Sequence, residues 1–168
     1  MRAPAEVILF PEHARKPRQH RQWLVGIERR FEEALKRQGL NLTRQRQEIL
    51  HTLLAAEKHL TAEELYDLLK RKDPTLGRAT IFRTVKLLQE CGLAAEVTTA
   101  GGRSKYEIKA DRPHHDHMVC MECGRITEFQ SPRMEHFQDE AIRKHRFEAL
   151  WHRHEIFGRC RDCRKEKR

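Results

Sequence analysis

The sequence predicts an α+β chain in two parts, and three observations predict it. Between Trp23 and Cys91, apolar residues recur at three- and four-residue spacing in successive stretches, the mark of amphipathic helices. Directly behind them, alternating residues flank a Gly-Gly turn, a hairpin signal. The last third of the chain then carries two Cys-x-x-Cys pairs and a dense His/Asp cluster, the residue types and spacings of metal ligands.

Residues 1–22 hold Pro4, Pro11, Pro17 and a basic cluster of Arg15, Lys16, Arg18 and Arg21. Too few apolar groups are present to offset the entropy of ordering, so this arm is expected to be disordered. The first helix starts at Trp23, with Ile27, Phe31, Ala34 and Leu35 on one face and Gly39 as its stop. Thr43 is the N-cap candidate of a second, whose stripe is Ile49, Leu50, Leu53 and Leu54. In Thr61-Ala-Glu-Glu64 the third helix has a capping box, followed by Leu65, Leu68 and Leu69. Pro74 and Gly77 mark a turn before a fourth helix, Arg78 to Cys91, which Gly92 ends. Ile81, Val85 and Leu88 share its inner face, leaving Arg78, Arg83 and Lys86 to point outward. Two short helices joined by a tight turn, the second with a basic surface, make a helix-turn-helix, and a hairpin over Leu93–Lys109 makes its wing. The first domain, 23–110, is therefore a winged helix.

Asp111-Arg-Pro113 reads as a linker, and 114–168 as a small α/β domain. It offers strands at Met118–Cys120 and Arg125–Phe129, a helix from Pro132 to His145, and a strand over Phe147–Phe157.

A net charge of +9 and a pI near 9.6 favour a polyanionic partner, of which nucleic acid is the commonest. No apolar run reaches membrane-span length. The Val7–Phe10 run is too short for a signal-peptide core, and Pro11 follows at once. A cytoplasmic chain is thus expected, with reduced cysteines available to metal rather than to disulfides.

Cys120, Cys123, Cys160 and Cys163 supply four thiolates, enough to close a tetrahedral zinc site with no open position. A redox dithiol would open a helix in a thioredoxin-like setting, which neither pair has. Such a zinc would also explain how so small a second domain stays folded, since metal binding supplies folding free energy. Cys91, left over at a helix end, reads as a small hydrophobe. His114, His115, Asp116 and His117 then have no place in that zinc site. In extended backbone, alternate side chains face opposite ways, so His115 and His117 share one side while His114 and Asp116 share the other. That implies two further sites, each completed by distant residues, with nitrogen and oxygen donors that suit Fe(II), Mn(II), Co(II) or Zn(II). An open His/carboxylate site could activate water. The sequence, however, lacks HExxH, a nucleophile–base pair and a Gly-rich phosphate loop, so an enzyme is not expected. The rival classes are a metal-storage protein and a metallohydrolase.

Taken together, the motifs resemble those of the ferric uptake regulator family. They are GLxxTxxR at Gly39–Arg46, HLTAEELY at His59–Tyr66, ATIFRTVKLL at Ala79–Leu88, HHDHMVCMECG at His114–Gly124, then ITEF and the closing cysteines. The resemblance implies a winged-helix DNA-binding domain joined to an α/β dimerisation domain. It implies a homodimer on palindromic double-stranded operators that represses iron-uptake genes when metal is bound. By the same resemblance, Cys120, Cys123, Cys160 and Cys163 hold structural Zn(II). His59, Glu107, His115, His117 and Glu128 form a regulatory site for Fe(II), or for Mn(II) or Zn(II). His114, Asp116, Glu135 and His152 form an additional site. Arg44, Arg46, Arg78, Thr80, Phe82 and Arg83 are the expected DNA contacts, with Arg83 reading a base. Phe82 stands where many relatives have tyrosine, and Asn41 where a basic residue often enters the minor groove; Arg44 and Arg46 can take over that contact. Peroxide sensors tend to carry aspartate at the position of Glu135, and zinc sensors a cysteine near Glu107. Neither feature occurs here, which points to the iron branch, with zinc- or peroxide-sensing members as alternatives.

Overall fold

The computed structural model describes residues 8–9, 17–56, 58–99, 102–110 and 112–165, with side chains from Gln22 onward. They fall into two compact units, one within Glu12–Arg112 and one formed by Pro113–Arg168 with the N-terminal stretch Met1–Pro11. Among the described residues, no helix is long and apolar enough to cross a membrane.

The first unit contains α1 (Pro17–Arg37), α2 (Arg44–Ala55), β2 (Leu60–Thr61), α3 (Ala62–Lys70), α4 (Arg78–Glu90), β3 (Ala94–Thr98) and β4 (Ser104–Ile108). Each boundary has a local cause. Gly39 lies at φ 70°, the left-handed conformation that ends α1 cheaply. Thr43 caps α2, its hydroxyl accepting from the Arg46 amide. Thr61 and Glu64 cap α3 reciprocally: the Glu64 amide donates to Thr61 Oγ1 at 3.1 Å, and the Thr61 amide to Glu64 Oε2 at 2.7 Å. Ile27, Phe31, Leu50, Leu65, Ile81 and Leu88 meet in one core and are wholly covered. β2, β4 and β3 form a three-stranded antiparallel sheet in that order. Helices α3 and α4 are the helix-turn-helix, and β3–β4 the wing. The expected turn residue Gly101, like Asp111 in the linker and Glu166–Arg168 in the tail, lies outside the described residues.

The second unit is a four-stranded sheet in the order β1-β6-β5-β7. Its strands are β1 (Ile8–Leu9), β5 (Asp116–Cys120), β6 (Ile126–Gln130) and β7 (Glu155–Gly158), with α5 (Pro132–Lys144) and the short α6 (Arg161–Lys165). β5 pairs antiparallel with β6 and parallel with β7.

Two expectations need correction. The arm was expected to be disordered through residue 22, yet α1 begins at Pro17 and Ile8–Leu9 pairs with Phe129 and Gln130 of β6. Pro17 suits a first helical turn, where its missing N–H costs nothing, and a two-residue strand is set by the edge it joins rather than by its own sequence. The other arm residues, Arg15 and Lys16 included, lie outside the described residues. The strand expected over Phe147–Phe157 is also shorter. Only Glu155–Gly158 is strand, while Phe147, Leu150 and Trp151 precede it in irregular backbone, 67–84% exposed. These three were read as part of the strand, and they are surface instead.

Candidate metal centres and nucleic-acid interface

The first centre grows out of the end of β5. Cys120 donates its amide to the Arg125 carbonyl at 2.8 Å and accepts from the Gly124 amide at 3.0 Å. Gly124 sits at φ 69°, so the chain turns tightly enough to bring Cys123 back beside Cys120. Met121 donates to the Gly158 carbonyl at 2.7 Å, tying this knuckle to β7 and hence to Cys160. Cys123 Sγ and Cys160 Sγ lie 3.8 Å apart, and all four sulfurs lie within 4.8 Å of one another. Amides of Cys123, Cys160 and Glu122 point at the Cys120 sulfur and bring its thiol down to about 6. The Cys163 thiol is pushed the other way by its hydrogen bonds to Cys160 and Cys123 and by burial. A lowered Cys120 thiol favours the thiolate, the form that binds metal. Four convergent thiolates with no water position fit Zn(II) in a structural role.

A second centre lies wholly within the same unit, on one face of the sheet. His114 Nε2 is 3.2 Å from Asp116 Oδ1 and 3.3 Å from Glu135 Oε1. His152 Nε2 is 2.8 Å from His114 Nε2 and 3.5 Å from Glu135 Oε2. The four donor atoms lie within 4.8 Å of one another. Asp116 is buried, and Glu135 enters from the first turn of α5. Two imidazole nitrogens aimed at each other between two carboxylates are a divalent-cation arrangement with nitrogen and oxygen donors.

The residues of the third set divide between the two units. In the first unit, β2 pairs Leu60 with Tyr106, and that register puts His59 opposite Glu107. His59 Nε2 and Glu107 Oε1 are 3.5 Å apart, and the other carboxylate oxygen accepts from Arg112. In the second unit, His117 pairs with Glu128 across β5–β6. The His115 and His117 rings stand 5.0 Å apart, and His115 Nε2 lies 3.8 Å from Glu128 Oε2. His115 Nδ1 bonds the Pro113 carbonyl at 2.9 Å, which fixes the tautomer and leaves Nε2 as the donor for a ligand.

The sequence reading missed β2, the bridge that positions His59, and it missed His154. His154 Nδ1 lies 3.9 Å from the second oxygen of Asp116. The alternation that groups His114 with Asp116 would have grouped His152 with His154.

On the helix-turn-helix, α4 turns Phe82, Arg83 and Lys86 outward, with Thr80 half-buried. Arg83 Nε bonds back to the Ala79 carbonyl at 3.2 Å. Arg78 is engaged in the free protein: its Nε bonds Glu63 at 2.9 Å and its guanidinium lies 4.1 Å over the Tyr66 ring. Arg44 is exposed at the start of α2, while Arg46 is half-buried and bonds the Asn41 carbonyl. The turn before α4 is stapled by Asp73, which accepts from the Thr75 amide at 2.9 Å and from Gln45 of α2 at 3.0 Å. Gln45 thereby joins the α2 surface to the loop that aims the recognition helix.

A winged helix with outward basic residues, in a chain with convergent cysteine and imidazole/carboxylate clusters, defines a metal-dependent DNA-binding regulator as the class. The model of the ferric uptake regulator family matches residues 37–157, and the chain belongs to that family. It is 39% identical over 140 residues to the ferric uptake regulation protein of Campylobacter jejuni, covering 82% of this chain and 88% of that one. It is 31% identical over 146 residues to the peroxide-responsive repressor of Staphylococcus epidermidis, covering 85% and 96%. The structure of the Helicobacter pylori ferric uptake regulator, described as revealing three functional metal binding sites, matches with a TM-score of 0.76. It is 30% identical and covers 84% of this chain and 93% of that one. Members of the family are metal-responsive transcriptional regulators rather than enzymes, and they bind DNA as dimers.

Proposed function

We propose that this chain is a cytoplasmic, homodimeric repressor that binds palindromic double-stranded operators when Fe(II) is available and controls iron-uptake genes. One observation carries the choice of metal: outside the cysteine knuckles, the candidate ligands are imidazoles and carboxylates only. No cysteine lies between Cys91 and Cys120, where a zinc sensor would offer a thiolate, and Glu135 rather than aspartate stands in the additional cluster. Such donor sets suit Fe(II), and also Mn(II) and Zn(II). The matched Staphylococcus repressor is peroxide-responsive, so a peroxide-sensing role is the second reading.

In this reading the four cysteines hold structural Zn(II), and His114, Asp116, Glu135 and His152 hold an additional ion. His59 and Glu107 from the winged helix join His115, His117 and Glu128 in the regulatory site. A divalent ion there supplies the positive charge that lets five donors converge. His59 and Glu107 hang on the same β2–β4 register as the wing, so engaging them fixes the recognition helices at a set separation. By linkage, operator DNA then tightens metal binding as much as metal tightens DNA binding. Arg83, helped by Thr80 and Phe82, reads a base edge, while Arg44, Arg46 and Arg78 hold phosphates or the minor groove.

The dimer is supported by apolar surface on the metal-binding unit. Phe137, Phe147, Leu150, Trp151, Ile156 and Phe157 are 45–84% exposed, and β7 is an open sheet edge. A second copy of the chain would cover both.

The test is operator binding by mobility shift across a Mn(II) or Fe(II) series. The wild-type protein should need metal, and His117→Ala should lose the metal response while keeping one zinc per chain. Metal-dependent operator binding by His117→Ala would overturn the assignment of the sensing site.

A further inference from the structure

The additional cluster, read above as a cation site, contains a buried carboxylate oxygen that does not face the other three ligands. Asp116 is 1% exposed. Its Oδ1 faces His114, while its Oδ2 has no hydrogen-bond partner. A carboxylate oxygen left so is costly in a buried setting. The atom facing Oδ2 is His154 Nδ1, 3.9 Å away and likewise buried and unbonded.

The register explains why they meet. His117 pairs with Glu155 across the parallel β5–β7 ladder, so the residues one step before, Asp116 and His154, are neighbours on the opposite face. Two steps earlier the same face carries His114 and His152, whose ring nitrogens are 2.8 Å apart. The face therefore presents a two-by-two grid, imidazole beside imidazole and carboxylate beside imidazole. Phe129, the partner of Asp116 on the other side, sets its ring edge-on to His154 at 6.2 Å. The His154 carbonyl accepts from the His117 amide at 3.3 Å. Ring and backbone are both held, and a shift of about 1 Å would close the gap to hydrogen-bonding distance.

From this juxtaposition we infer that His154 is a positioning residue for the additional cation site: its Nδ1–H holds Asp116 Oδ2, so that Oδ1 stays directed at the ion between His114, His152 and Glu135. Ligating carboxylates depend on such outer partners, whose loss typically weakens metal affinity 10–100-fold. The inference rests on the reading of this cluster as a metal site, and the test separates the two.

The probe is Co(II), titrated against a competing chelator into full-length, zinc-loaded protein in a His117→Ala background, which silences the regulatory set. The visible d–d band of a nitrogen/oxygen site reports the additional cluster, and thiolate charge transfer reports the knuckles separately. His154→Leu should weaken Co(II) binding about 10–100-fold and move the d–d band. His154→Gln, which can still donate an N–H, should recover most of the affinity. If His154→Leu loses its folded circular dichroism signal, His154→Phe, which keeps a ring against Phe129 but has no donor, carries the same expectation. Wild-type affinity and spectrum in the donor-less variant would overturn the role of His154. Undiminished Co(II) binding in His114→Ala would instead overturn the metal-site reading itself.

Discussion

In the winged-helix unit, Ile27 and Phe31 of α1, Leu50 of α2, Leu65 of α3 and Leu88 of α4 are all wholly covered by one another and their neighbours. In the metal-binding unit, α5 has no buried residue at all, and the covered apolar side chains among the described residues are Val119, Cys120, Phe129 and Cys163. Two of those four are candidate zinc ligands. The first unit is held by the removal of apolar surface from water, the ordinary route for a helical domain. The second has little such surface, and its four convergent thiolates offer metal bonds in its place. The difference teaches where each unit is fragile: the first to cavities, the second to chelation.

The sharpest way to break that comparison is Cys120→Ser, or stripping the protein with a thiol-compatible chelator. Apparent zinc-binding free energies of ~10–16 kcal/mol in small metallodomains are folding free energies. The metal-binding unit should therefore lose its cooperative transition, and sedimentation should show monomer, while the helical signal of the winged helix persists. A stable dimer after Cys120→Ser would mean the second unit has another source of cohesion.

The reciprocal experiment is Leu50→Ala. A truncation at a wholly buried position costs about 2–5 kcal/mol, depending on how far the cavity collapses. Calorimetry should show the winged-helix transition moving down, with zinc content unchanged at one per chain. If the two transitions move together, the units are energetically coupled, and the contrast between them weakens.

A smaller effect is expected from Thr61→Ala, which removes one half of the capping box on α3. The cost should be about 0.5–2 kcal/mol, read as a lower midpoint in urea. Because Thr61 also sits in β2 beside His59, this change tests whether helix capping steadies the metal-ligand register of β2 and β4. Raised exchange at the amides of both Glu64 and Leu60 would support that link.

These cases show what was legible in advance. The capping box, the Gly39 stop and the two cysteine knuckles are local in sequence, so the chain announces them without tertiary knowledge. The alternation of His114 to His117 was legible for the same reason, since side-chain direction repeats every two residues along any extended segment. β1 and β2 were not legible. Each is two residues long, and each is a strand only because another strand's edge lies beside it. Phe147, Leu150 and Trp151 misled in the other direction: they were read into the last strand, whereas they lie exposed in the irregular backbone before it. The outward residues of α4 could be named from spacing, but nothing in the sequence said that Arg78 would be engaged by Glu63 and Tyr66.

The smallest effect concerns the turn that aims α4, and it bears on whether the apolar unit carries any pH sensitivity of its own. Hydrogen bonds from the Thr75 hydroxyl, the Gln45 amide group and the Thr75 backbone N–H hold the Asp73 carboxyl below its ordinary value of 3.8. A carboxylate depressed in the folded state lends stability that is whole above the unfolded value and is lost as the pH falls through the folded one. The stability difference between wild type and Asp73→Ala should therefore stay constant from about pH 7 down to the ordinary carboxylate range and shrink below it. Urea titrations at a series of pH values read this directly. A difference that persists unchanged in acid would show that the turn is held by hydrogen bonds the neutral Asp73 carboxyl keeps and not by its charge. The aim of the recognition helix would then owe no pH dependence to Asp73.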